Sequence, residues 1–116
     1  MIEPSLVGLG GMVGAVLRFW VSSRFESGPY PTATLVVNVL GSFALGALSF
    51  LSVPERLSLF LGVGVCGSFT TFSSFTVNTV RLWEFENPRR AVEFALLNLL
   101  GALAAIGLAA LLFGPL

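Results

Sequence analysis

Four apolar runs, at about residues 4–25, 31–51, 57–83 and 89–113, take up nearly the whole chain. Each approaches or exceeds the roughly 20 residues that cross about 30 Å of hydrocarbon. The gaps between them hold turn and helix-start residues: Ser27-Gly28-Pro29 with Pro31, then Ser52 and Pro54-Glu55-Arg56, then Glu84, Glu86, Asn87-Pro88 and Arg89-Arg90. The spacing predicts an all-α membrane protein of four transmembrane helices, folded as one domain over residues 1–116. An open sheet is excluded, because an unpaired backbone group in lipid costs several kcal/mol, and the runs lack the alternation of barrel strands.

Composition agrees with lipid as the solvent. Hydrophobic residues make up 55% of 116 positions and charged residues 10%, with a mean hydropathy of +0.93. Twelve charges would leave large apolar patches exposed on a soluble chain of this size. They comprise six Arg and six Glu with no Lys, Asp or His, so no basic patch points to nucleic acid. The single cysteine, Cys66, lies in an apolar run and reads as a packing residue. Arg18 and Arg24 follow the first apolar run instead of preceding it, the reverse of a signal peptide's charge order, so this run is expected to be a retained span.

Small residues recur at the spacing that lets membrane helices approach closely: Gly10-xxx-Gly14, Ser42-xxx-Gly46 and Gly101-xxx-Ala105. So many small faces suggest an oligomer; contacts within one chain are the alternative. The third run differs from the others, since Gly62, Gly64 and Gly67 lead into Ser68-Phe69-Thr70-Thr71-Phe72-Ser73-Ser74-Phe75-Thr76. Glycines loosen a helix, and the following hydroxyls can satisfy backbone groups freed by a break, which is tolerated at membrane depth only where it is buried or lines a cavity. A resumed helix would present a partly positive N-terminus suited to an anion, and the carbonyls of the broken turn would suit a cation. The plainer reading is a Ser/Thr-rich helix that bonds its own backbone.

Asn38 lies mid-way along the second run and Asn98 within the fourth. Polar groups at that depth face the bundle interior or a wet pathway. For Asn98 an interhelical hydrogen bond accounts for the residue equally well; Asn38 is expected opposite the hydroxyl cluster. Phe69, Phe72 and Phe75 recur at i, i+3, i+6 along one side of a helix. That pattern ordinarily means packing, but aromatic rings carry a positive edge, and ring edges with hydroxyl and amide donors can line a narrow anion path. Arg18, Arg81 and Glu93 lie near span ends, where snorkelling to the interface suffices. No metal-ligand spacing and no nucleophile–base pair stands out, so an enzyme is not expected.

At these residues the sequence resembles the Fluc/CrcB fluoride channel family. The resemblance is carried by Gly11-Met-Val-Gly-Ala-Val-Leu-Arg18-Phe, by Thr34-Leu-Val-Val-Asn38-Val-Leu-Gly-Ser-Phe-Ala-Leu-Gly46 and, most specifically, by Gly67-Ser-Phe-Thr-Thr-Phe-Ser-Ser-Phe75. It implies a passive, fluoride-selective channel of the cell membrane, built as an antiparallel dual-topology dimer with two fluoride pathways and a third helix broken at its middle. It implies that Phe72 and Phe75 supply ring edges, Thr71, Ser73 and Ser74 hydroxyls, and Asn38 an amide, and that a structural sodium ion is held at the dimer centre by the carbonyls of Gly67 and Thr70. Where a pore tyrosine and a serine are common in the fourth span, this chain has Phe94 and Asn98.

Two rival readings belong to other classes. A small multidrug transporter, also a four-span protein of this length, needs a central carboxylate, whereas Glu3 precedes the first span and Glu93 opens the last. A noncatalytic assembly subunit would use the polar residues only to hold helices together. With an even number of spans both termini share a side. Arg18, Arg24, Arg81, Arg89 and Arg90 then fall opposite Arg56, which favours loops one and three in the cytoplasm. Dropping the intrahelical Arg18 and Arg81 leaves three against one, and the bias keeps a heterodimer with an oppositely oriented homologue open beside the homodimer. In a dual-topology homodimer a Ser27→Cys variant reacts with an impermeant maleimide from both sides of the membrane; labelling from one side only requires a differently oriented partner.

Overall fold

The computed structural model describes residues 3–25 and 30–115; Ser27, Gly28 and Pro29 of the first loop lie outside the described residues. Four helical segments long and apolar enough to span a membrane follow one another: Pro4–Phe25, Thr32–Phe50, Glu55–Glu86 and Pro88–Phe113. Their boundaries follow local chemistry. The second helix starts after Pro31 and ends where Leu51 turns extended, at φ −92° and ψ 142°, shortly before Pro54. At the fourth, the Asn87 side chain accepts the Arg89 N–H at 2.8 Å with Pro88 in the first turn, and the helix stops at Gly114-Pro115.

The third segment is longer than the 57–83 expected from hydropathy. It gains its first residues from Glu55 and Arg56 behind Pro54, and its last from a wide turn over Leu82–Glu86 that the apolar pattern does not mark. A second wide stretch, with i→i+5 hydrogen bonding, covers Leu59–Cys66, and there the Gly67 N–H reaches the Gly62 carbonyl. Gly64 in this stretch meets Gly10 of the first helix backbone to backbone, and a Cβ on Gly64 would stand 2.8 Å from Gly10 Cα and 2.9 Å from the Val7 carbonyl oxygen. Ser68 fastens the same pair of elements by donating to the Gly11 carbonyl at 2.8 Å.

The bundle is therefore made of two intimate pairs. The first helix packs along the first half of the third segment, and the second helix packs along the fourth. Gly46 lies against Ala109 and Ile106, and Gly101 against Val39. Gly10, Gly14, Gly46 and Ala105, all buried, spend their close approach within one chain, so these small faces do not themselves call for a second copy. Leu82, Ala91 and Phe94 form a buried apolar cluster, with Tyr30, Leu35 and Phe75 packed on it.

Large apolar side chains cover the outside, among them Met12, Phe19 and Leu111, as expected where hydrocarbon is the solvent. Most of the charged groups lie towards the ends. Arg56 pairs with Glu3 at 3.0 Å, which places the starts of the first and third segments at one end of the bundle. At the other end the Arg24 guanidinium stacks over the Trp20 ring at 5.2 Å.

Because backbone opposes backbone at the Gly10–Gly64 crossing, a Gly64→Ala substitution forces the helices apart and is expected to destabilise the fold by about 1–3 kcal/mol. Gly107 has open space around its would-be Cβ. Gly107→Ala therefore leaves stability unchanged or raises it slightly through helix propensity. Thermal unfolding of the two variants in detergent checks the contrast.

Candidate functional site

The spanning segment 55–86 is not uniformly helical. Helical geometry ends at Phe69; Thr70 swings to φ −79° and ψ 164°, and the helix resumes at Ser73. Two peptide N–H groups change partners there. A continuous helix would direct the Thr71 N–H at the Gly67 carbonyl, but it donates instead to Asn38 Oδ1 at 2.9 Å. The Ser74 N–H, which would have met the Thr70 carbonyl, donates to Thr71 Oγ1 at 3.0 Å. The Gly67 and Thr70 carbonyls are thereby released from their helical donors. Regular bonding returns with the Thr76 N–H on the Phe72 carbonyl at 2.9 Å.

Asn38 is the hub of this region. Its Oδ1 takes the Thr71 N–H, and its Nδ2 donates to Asn98 Oδ1 at 2.9 Å. Asn98 in turn donates to the Phe94 carbonyl of its own helix at 3.0 Å, so its amide is engaged on both sides and holds Asn38 in place. Asn38 Nδ2 carries a second N–H beyond the one given to Asn98. The second helix, the interrupted segment and the fourth helix are thus joined through two carboxamides.

A cavity of about 370 Å³ opens beside this junction. Asn38, Thr70, Thr71, Phe72, Phe75 and Asn98 contribute to its wall, together with Ser42 and apolar groups from the second and fourth helices. None of the lining residues carries a full charge. Ser73, Ser74 and Gly67 are not part of the wall: Ser73 is exposed with its hydroxyl 3.4 Å from Thr71 Oγ1, and Gly67 lies a turn ahead of the interruption.

The aromatic residues differ from the expected stripe. Phe69 ends the first half and packs near Gly41, while Phe72 and Phe75 belong to the resumed half, because the extended Thr70 breaks the i, i+3, i+6 sequence. Phe72, 76% exposed, has its ring centroid 5.9 Å from that of Phe75. Phe75 stacks on Phe94 at 5.7 Å, and Phe94, wholly buried, meets the Tyr30 ring edge-on at 5.7 Å. A run of four rings therefore leads away from the cavity.

Sequence reasoning missed two partners. Asn78 donates to Thr34 Oγ1 at 2.7 Å, tying the resumed helix to the second one. The signal was available in part, since Thr34 stands one turn before Asn38 and Asn78 two turns after Thr71. Phe94 stood in the sequence only as a departure from a pattern, and its stack on Phe75 is a tertiary fact.

Removing the hub should cost more than removing its support. Asn38→Leu strips the acceptor from the Thr71 N–H at membrane depth, a loss of about 1–3 kcal/mol for an unsatisfied buried donor. Asn98→Leu leaves that bond in place and is expected to lower the unfolding temperature less. Parallel thermal melts of the two variants measure the order.

The chain matches a known family along almost its whole length. The family model described as CrcB-like protein, Camphor Resistance (CrcB), matches residues 5–114. Among curated relatives, the fluoride-specific ion channel FluC 2 of Haloarcula marismortui is 51% identical over 104 residues, covering 90% of this chain and 87% of the relative. FluC 1 of Halobacterium salinarum is 50% identical over 107 residues, covering 92% and 90%. The fluoride-specific ion channel FluC of Thermotoga maritima is 43% identical over 105 residues, covering 83% and 82%. With the match running through all four spans and the interrupted third segment, this chain belongs to the CrcB family.

Proposed function

We propose that this protein is a passive, fluoride-selective channel that lowers cytoplasmic fluoride by letting it run down its electrochemical gradient. The observation that carries the reading is the uncharged, donor-lined cavity beside Phe72 and Phe75, in a chain about half identical to proteins named fluoride-specific ion channels. Fluoride is small and strongly hydrated, so a path must replace its water with close donors. The second Asn38 N–H, the Thr71 hydroxyl and the ring edges of Phe72 and Phe75 supply such donors without a fixed cation. Short rigid groups of this kind favour fluoride over the larger chloride. Asn98 acts by orienting Asn38, and Ser73 and Ser74 shape the start of the resumed helix, whose N-terminus adds a partial positive charge.

The proposal extends to assembly. The third segment serves as two half-helices, and two chains pair antiparallel in the cell membrane. The high exposure of Phe72 and the openness of the cavity support a second copy closing the path. A sodium ion at the dimer centre would be bound by the carbonyls of Gly67 and Thr70, and the diversion of the Thr71 and Ser74 N–H groups to side chains supports that fit. Bound there, the ion would supply positive charge to lock the two interruptions together. The one-sided arginines favour a second arrangement, in which the partner is an oppositely oriented homologue.

Driving force comes from the gradient and the membrane potential. In acid surroundings neutral hydrogen fluoride crosses lipid and dissociates inside, and an outward leak of the anion lowers what is trapped. Proton-coupled cation export is disfavoured, since among the described residues every carboxylate lies outside the spanning segments or within about two turns of their ends.

Phe72→Leu and Phe75→Met test the role of the rings. If the rings only fill space, these variants keep most of the apolar volume and lose about 1 kcal/mol of stability, with flux intact. A saturated side chain has no positive ring edge, so the channel reading predicts normal assembly and fluoride efflux from liposomes at least about a hundredfold slower, roughly 2.7 kcal/mol of barrier. Normal efflux from well-assembled variants would remove Phe72 and Phe75 from the path.

A further inference from the structure

The ring series that starts at the cavity ends on a polar atom. Phe72, Phe75, Phe94 and Tyr30 follow one another with centroid separations of 5.9, 5.7 and 5.7 Å, and the last contact is edge-on at 89°. The Tyr30 hydroxyl is buried and has no hydrogen-bond partner, alone in this among the buried side-chain polar atoms of the described residues. Buried phenols ordinarily find a partner, because an unpaired hydroxyl out of water destabilises the fold. Nothing in the packing requires the oxygen: the ring alone fills the space against Leu82, Ala91 and Phe94. A phenylalanine would satisfy the same cluster.

Position adds a second argument. Thr34, Asn38 and Ser42 recur every four residues along the second helix, with Asn38 and Ser42 in the cavity wall, and Tyr30 stands just before that helix begins at Thr32, at the end away from Ser42. The fourth helix supplies no hydroxyl along its length, and past Asn98 in this direction it offers Phe94 and Ala91. Burial, with the Glu93 carboxylate nearby, pushes the Tyr30 phenol above its ordinary pKa, against a smaller opposing pull from Arg90. At neutral pH the group is therefore an O–H donor.

We infer that the Tyr30 hydroxyl is a further anion-coordinating donor, taking fluoride from the Phe72–Phe75 rings at the end of the path that carries loops one and three. The inference rests on the channel reading above. During passage the hydroxyl donates one hydrogen bond to the anion and, with no protein acceptor to compete, turns to it without breaking another bond. Phe75 lines the cavity and packs, like Tyr30, on the buried Phe94 cluster, so it stands between the two polar stations.

The test is Tyr30→Phe in the full-length chain, reconstituted in liposomes beside wild type. Fluoride efflux is expected to fall at least about tenfold, which is about 1.36 kcal/mol of barrier. In fluoride-free detergent the variant is expected to melt at the same temperature as wild type or higher, because an unpaired polar atom has been removed. Added sodium fluoride, against sodium chloride at equal concentration, is expected to raise the melting temperature of wild type more than that of the variant. Unchanged efflux overturns the inference and leaves the oxygen without a role in the path. A variant that melts lower without fluoride also overturns it, since the hydroxyl would then serve a structural bond. Wild-type protein that moves no fluoride fails the channel reading first, and that result is separable because it appears before any substitution is made.

Discussion

A peptide N–H freed inside a membrane has no water to turn to, and the fate of one such group governs this fold. The Thr71 N–H goes to Asn38 Oδ1 at 2.9 Å. That single bond lets the third segment leave helical geometry at Thr70 without stranding a donor in hydrocarbon. It also fixes where the segment meets the second helix, and through Asn98 it fixes the fourth. The cavity, the exposure of Phe72 and the release of the Gly67 and Thr70 carbonyls all follow from that displacement. A leucine at position 38 would leave the interruption no acceptor and push the chain towards a plain helix without a site.

Much of this is legible in local chemistry. Loop positions were readable because proline and asparagine fix backbone geometry by themselves: Asn87-Pro88 announces a helix start, and the structure has the Asn87 side chain on the Arg89 N–H. The polar depth of Asn38 was readable because an amide in hydrocarbon must face something. Its match to the Thr71 region follows from there being few other unpaired groups to face.

Less visible was everything decided between helices. Gly10-xxx-Gly14 and Gly101-xxx-Ala105 say that a face is small, not which neighbour fills it, and within this chain they are filled by the third segment and the second helix. A periodic count placed Phe69 with Phe72 and Phe75, yet the count assumes a continuous helix, and the extended Thr70 separates them. The wide turns at Leu59–Cys66 and Leu82–Glu86 carry no hydropathy signal at all. The first lies wholly inside the apolar run and only the second carries the segment past it, so hydropathy, which reads composition and not turn width, cannot see them.

The absence of formal charge in the cavity wall bears on how an anion would pass. A lysine or arginine at this depth would be costly to bury and, once paired with fluoride, would hold it tightly. Conduction needs binding strong enough to replace hydration and weak enough to release. On the proposed reading, neutral donors in series meet both needs, because no single amide, hydroxyl or ring edge replaces the whole hydration shell. An ion is then handed on when the next donor takes up what the last gives back. Such a path depends on spacing more than on strength, and spacing here is set by the rings, each within 6 Å of the next. Stiff aromatic side chains keep those intervals better than flexible aliphatic ones, since their only freedom lies in two χ angles, which for Phe75 and Tyr30 are held by packing on Phe94. Burial of Phe94 thus serves the path indirectly: it presents Phe75 at a fixed angle to whatever passes Asn38.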